Sequence, residues 1–262
     1  MDSTRRFGAE RRSSSALVAN YIHELSDRHN GERTSTRPVP PNQPKETKVR
    51  IGIIGSGDIG ATAARQFVDA GHEVAIANSR GPETLRHTVD DLGPRARAAE
   101  PADAAAFGDL VLVAIPFGRY RELPADALAD TTVIDATNYY PQRDGNFPDL
   151  AGDRTTSSEL LAAQLPHAQV VKAFNTLYSR TLADGGKPGR GDERLVLFVA
   201  GDDPDAKEQV TRLIEDIGFA AVDVGGLADG GRRLQPGAAL SGKELTVREA
   251  EELARPLYSR VD

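Results

Sequence analysis

The chain has 262 residues, a net charge of −7, 39% hydrophobic and 27% charged residues, the balance of a globular chain of one or two domains rather than a disordered one. It has no cysteine, which excludes disulfides, iron–sulfur clusters and thiolate metal sites, and its five histidines fall in no HxH, HxxxH or HExxH spacing, which argues against a zinc site. The longest apolar run, Leu110 to Phe117, is far short of the roughly 20 residues of a membrane helix, and the acidic balance speaks against general nucleic-acid binding.

The first residues hold no apolar stretch of the secretory kind, and they carry acids that a transit peptide would avoid, so the cytoplasm is the expected location. Within residues 1–47, Leu17, Val18, Tyr21, Ile22 and Leu25 share one face at helical spacing. Ser13 to Ser15 offer caps at one end and Asn30-Gly31 a stop at the other. The prolines at 38, 40, 41 and 44 then favour an extended linker. A helix this short is marginal alone in water. The segment 14–29 is therefore expected to dock, on its own domain, on a second copy in a homodimer, or on a protein partner.

From Lys48 the pattern becomes an alternation of strands and helices. Val49–Ile54 reads as a buried strand, Ala61–Ala70 as a helix, Glu73–Ala77 as a strand and Pro82–Leu92 as a helix with proline in its first turn. A weak strand at Arg95–Ala99, a short helix at Pro101–Phe107 and a strong strand at Asp109–Ile115, ended by Pro116, follow. Then come a strand at Thr131–Asp135, a helix at Thr156–Leu165 and a strand at Gln169–Ala173. Strands at Arg194–Ala200 and Ala220–Val224 flank a helix at Pro204–Ile217, and a last helix runs over Thr246–Ala254. Such alternation predicts a parallel sheet covered on both faces. Glu193, Asp202, Asp203 and Asp205 cluster before the helix at Pro204; they read as its N-terminal cap rather than as a magnesium site.

Gly55-Ser56-Gly57-Asp58-Ile59-Gly60 matches GxGxxG, directly after a strand and opening a helix, the context that makes it a dinucleotide-binding signature. Gly55 permits the tight turn, Gly57 lets the backbone approach a pyrophosphate, and Gly60 lets the helix pack closely. The free N–H groups and positive end of the helix then face the phosphates. The second strand ends in Ala77-Asn78-Ser79-Arg80. An NAD-binding chain usually carries an acid there for the ribose 2′-hydroxyl. A serine and an arginine instead suit a 2′-phosphate, so the expected coenzyme is NADP(H).

The run Ile51 to Gly60 and the Ala77-Asn-Ser-Arg-Gly81 turn, with Val113-Ala-Ile-Pro-Phe117, Val133-Ile-Asp-Ala-Thr-Asn138, Val170-Val-Lys-Ala-Phe-Asn-Thr176 and Ala200-Gly-Asp-Asp203, resembles the NADPH-dependent coenzyme F420 reductase family. The resemblance covers residues 48 to about 237. It implies that Ser79 and Arg80 contact the 2′-phosphate and that Ile115, Pro116 and Phe117 lie beneath the nicotinamide ribose. Asn138 and Asn175 would end later strands at the same edge, where they either meet a redox partner or cap local backbone. The sequence departs from the archaeal F420 enzymes in residues 1–47 and from Arg232 onward.

The expected fold is α/β, a Rossmann-type doubly wound parallel sheet over residues 48–180 with a small C-terminal α/β lobe over 181–262 and the helical extension over 1–47. The expected activity is hydride transfer between NADPH and F420. The alternatives are reduction of a small imine or ketone, with Tyr139 or Tyr140 as the proton donor, or NADPH sensing without turnover. Direct hydride transfer needs no acid–base pair, so no catalytic residue and no metal are assigned.

Overall fold

The computed structural model describes residues 48–152, 154–187 and 191–254. The helix and proline-rich linker expected within 1–47, including the docking segment 14–29, lie outside the described residues. Eight strands form one sheet: β1 Arg50–Ile54, β2 Glu73–Ala77, β3 Ala96–Ala99, β4 Leu110–Val113, β5 Thr132–Asp135, β6 Gln169–Lys172, β7 Val196–Gly201 and β8 Ala220–Asp223. Their order is β3-β2-β1-β4-β5-β6-β7-β8. β1 to β6 are all parallel, β7 runs antiparallel to β6, and β8 is parallel to β7. This is the doubly wound order, with the chain moving outward from β1 in both directions.

The strands read as continuous apolar runs because both faces are covered. Leu112, Ile134, Val171 and Leu197 point into one core, together with Phe67 and Phe219. Val111, Val113, Val133 and Val170 point into the other, with Phe117 and Leu161. Helices α1 Asp58–Asp69, α2 Arg86–Leu92, α3 Pro101–Phe107, α4 Pro141–Asp144, α5 Pro148–Ala151, α6 Ser157–Gln164, α7 Ser179–Asp184, α8 Pro204–Asp216, α9 Asp229–Leu234 and α10 Val247–Ala254 complete the fold. The C-terminal unit β7–α8–β8 is joined edge to edge to β6 and has a small core of its own around Val196, Phe198, Leu234 and Leu240. The first core runs through residue 180 without a break; strand direction is what changes beyond it.

Two details differ from the sequence reading. The helix expected over Pro82–Leu92 is a 3₁₀ turn, Pro82–Leu85, followed by α2. Of the acidic residues read as the cap of α8, Asp203 is the one that takes that place, accepting from the Ala206 N–H at 2.7 Å, while two others bond elsewhere. Asp202 accepts from the Leu227 N–H, and Glu193 pairs with Arg248. Among the described residues no helix is long and apolar enough to cross a membrane.

Candidate functional site

The site is built at the carboxyl edge of the parallel strands, where a doubly wound sheet binds ligands. The β1–α1 turn has the geometry its glycines require. Gly55 has φ +114°, and a Cβ there would stand 2.2 Å from the Ala114 carbonyl oxygen. A Cβ on Gly60 would stand 1.9 Å from the Gly55 oxygen, so that glycine allows the turn and the helix to pack. Gly57 is different: it caps α1, its dihedrals are ordinary, and among the described residues nothing lies within 4 Å of where a Cβ would be. Gly57 and Asp58 are exposed, Ser56 and Ile59 half-buried. The first turn of α1 therefore opens onto free space with its N–H groups outward, as an anion site needs.

The end of β2 lies beside this turn. Asn78 is buried, and its amide donates to Ser56 Oγ at 3.3 Å and Thr84 Oγ1 at 3.0 Å. Its Oδ1 accepts from the Arg80 N–H at 2.8 Å. Asn78 thus ties the two loops together, and its side chain is occupied in doing so. Ser79 and Arg80 are exposed, and the Arg80 guanidinium has no ion pair among the described residues.

Beyond β4, Ile115 is half-buried and Pro116 exposed. Phe117 is fully buried, stacked on Tyr120 at 4.8 Å and edge-on to Tyr139 and Phe147. Its ring belongs to the core, so only its backbone can face a ligand. Tyr139 Oη donates to the Gly145 oxygen at 2.9 Å and accepts from the Phe147 N–H at 3.2 Å. Tyr140 is 43% exposed, with the Arg143 guanidinium 5.1 Å from its ring centre. Arg143 pairs with Asp144 and donates to the Asn138 carbonyl at 2.5 Å. Burial would raise the Asp144 carboxyl, but hydrogen bonds from Arg143 and from the Tyr140 and Gly118 N–H groups hold it below the usual carboxylate range.

Asn138 and Asn175 follow β5 and β6 and lock onto each other. The Asn138 amide donates to the Asn175 carbonyl at 2.9 Å, and the Asn175 amide to Asn138 Oδ1 at 3.0 Å. The Asn175 amide also donates to the Leu234 oxygen at 2.7 Å, which fixes its orientation. Its Oδ1 is buried and has no hydrogen-bond partner among the described residues. Phe174, just before it, has φ +64°, a strained value for a bulky residue and typical of a functional edge. The asparagines do more than cap local backbone: they join two strand ends to the C-terminal segment.

Sequence reasoning assigned no role to Asp135 and Lys172, which face each other across β5 and β6. Their side chains are fully buried and 3.1 Å apart. The signal was a single charge in each of two apolar strands, but their common register is visible only in the sheet. Burial pushes the Lys172 ammonium below its usual range, and Asp135 opposes that.

The family described as NADP oxidoreductase, coenzyme F420-dependent, matches residues 50–139, which hold the glycine turn, the Ser79-Arg80 loop and Asn138. A hypothetical protein from Sinorhizobium meliloti is 36% identical, with a TM-score of 0.66 over 77% of this chain and 97% of that one. The chain belongs to this family of NADP oxidoreductases. An Arthrobacter structure provisionally assigned as an F420-dependent NADP-reductase is 29% identical to this family member, with a TM-score of 0.59 over 70% of this chain and 88% of that one. Rat metalloreductase STEAP3 is 30% identical over 192 residues, 72% of this chain. That match spans 36% of STEAP3, so the chain corresponds to about a third of that relative.

Proposed function

We propose that the protein transfers a hydride between NADP(H) and coenzyme F420. For the coenzyme, the carrying observation is the open space before Gly57 at the start of α1. In this reading the backbone of Gly55, Ser56, Gly57, Asp58, Ile59 and Gly60 cradles the pyrophosphate. Ser79 and Arg80 grip the 2′-phosphate, with Asn78 holding their loop against Ser56. The backbone of Ile115, Pro116 and Phe117 lines the nicotinamide ribose, and the Asn138–Asn175 pair closes the far side. The nicotinamide, when bound, supplies the hydride; the protein's part is to hold the ring and exclude water.

For the acceptor, the support is the family match and the resemblance in the motifs that follow β4, β5 and β6. The imine or ketone alternative calls for a proton donor after Asn138. The Tyr139 hydroxyl is already both donor and acceptor within its own loop, which weighs against Tyr139 as that donor. Metal reduction is not carried over from the metalloreductase, since the match spans 36% of that relative. Within this assignment residues 48–180 are the coenzyme-binding part and 181–262 complete the edge of the site, through the contact of Leu234 with Asn175.

The test mixes purified protein, NADPH and oxidised F420 and follows both absorbance bands. The reading expects NADPH consumed and F420 reduced in equal amounts, and little turnover with NADH. NADPH binding without F420 reduction would leave the coenzyme assignment standing and remove F420 as acceptor.

A further inference from the structure

Lys172 and Asp135 are an unusual choice for their place. Their strand neighbours Val133, Ile134, Val170 and Val171 are apolar and buried. Taking two charges out of water is costly, and apolar residues of similar size in such a position are often neutral or stabilising. A buried pair is therefore weak evidence for stability and directs attention to what the pair holds.

What it holds is the edge of the site. The Lys172 ammonium donates to Asp135 Oδ2 and to the Thr137 carbonyl oxygen. Asp135 Oδ1 accepts from the Thr137 N–H at 2.9 Å, so both polar groups of the Thr137 backbone are gripped. Asp135 Oδ2 also accepts from Ser158 Oγ at 2.7 Å, which brings in the first turn of α6. That helix is capped by Thr156, whose Oγ1 donates to the Leu227 oxygen in the C-terminal segment. The residue after Thr137 is Asn138, and three residues after Lys172 is Asn175.

We infer that Lys172, through its bonds to Asp135 and the Thr137 carbonyl, is a positioning residue for the nicotinamide half of the coenzyme, which it serves by fixing Asn138 and Asn175. It touches no ligand itself. The inference rests on the coenzyme placement proposed above, with phosphates at α1 and nicotinamide at the β5–β6 end. That placement separates the two halves of the ligand: the Lys172 network lies at one end, and Ser79, Arg80 and Gly57 at the other.

The test compares the affinities of NADPH and 2′,5′-ADP, which lacks the nicotinamide half and needs no acceptor. The variant is the double substitution Lys172→Met with Asp135→Asn, which leaves no unpaired buried charge. The expected result is a folded protein with unchanged 2′,5′-ADP affinity and NADPH binding weakened roughly tenfold, the loss expected for one well-made hydrogen bond. Ser158→Ala keeps both charges paired and serves if the double variant does not fold; it should lower the same ratio by a smaller factor. Asn138→Ala should reproduce the tenfold loss, and adding it to the double variant should cost little more, since groups acting as one unit are not additive. An unchanged ratio, or equal weakening of both ligands, would overturn the positioning role. Absence of 2′,5′-ADP binding to the unaltered protein would instead remove the coenzyme placement beneath it.

Discussion

Gly60 lies so close against Gly55 that a side chain on one would meet the carbonyl of the other at 1.9 Å. Two residues are thereby committed to joining strand and helix, and the glycine between them, Gly57, has none of the described residues before it. The three glycines of the motif consequently answer differently to substitution. Gly60→Ala should destabilise the protein by about 1–3 kcal/mol, because backbone has to move to admit the methyl group. Gly57→Val should leave the melting curve unchanged and abolish NADPH binding, since its side chain fills the space the pyrophosphate needs. Thermal melts beside NADPH titrations separate the two; normal binding by the Gly57 variant would put the coenzyme elsewhere.

Arg80 is exposed and unpaired among the described residues. Arg80→Ala should weaken NADPH by roughly ten- to a hundredfold, the value of about 1.5–3 kcal/mol for a hydrogen bond to a charged group, and leave NADH almost unaffected. Calorimetric titration with both coenzymes provides the comparison, and equal losses would show that Arg80 does not read the 2′-phosphate.

Asn78 should behave otherwise. It joins Ser56 in the first loop to Thr84 and the Arg80 N–H in the second. Asn78→Ala should therefore weaken NADPH and NADH together, and lower stability by about 1–3 kcal/mol through the polar groups left unpaired. A selective loss of NADPH alone would give Asn78 a direct phosphate contact instead.

Asp144 carries a pH signature. Its carboxyl is held below the ordinary range by Arg143 and by two backbone N–H groups, against the opposing effect of burial. A carboxylate lowered in the folded state stabilises fully above its unfolded pKa, about 3.9, and that contribution is lost as pH falls through the folded value. Asp144→Asn should cost about 1 kcal/mol at neutral pH, discounted because Arg143 is half exposed. The difference between the two proteins in urea unfolding should shrink as the solution is acidified below pH 4 or so. A gap that stays constant would mean the charge of Asp144 contributes nothing.

Among the described residues every strand of the sheet lies from Arg50 onward. A chain beginning at Lys48 should fold and bind NADPH with unaltered affinity. Light scattering of both forms tests the expected homodimer at the same time: a fall in mass on truncation would assign association to residues 1–47, and failure to fold would make those residues part of the core.

Much of this was legible in the residues themselves because it depends on near neighbours. Apolar runs buried on both faces marked the strands, the glycine spacing marked the turn, and Asp203 before Pro204 marked a cap three residues from its partner Ala206. The helices of four to six residues at 141–144, 148–151, 179–184 and 229–234 were not legible, since so short a stretch carries no period. The resemblance put Phe117 at the strand end beneath the nicotinamide ribose, but that Tyr120, Tyr139 and Phe147 enclose its ring is visible only in the fold. Lys172 and Asp135 are 37 residues apart, and Asn175 and Leu234 are 59 apart. No local pattern links such pairs. Only the parallel register of β5 with β6, and the return of the C-terminal segment over their ends, brings a buried lysine close to Asn138 and Asn175.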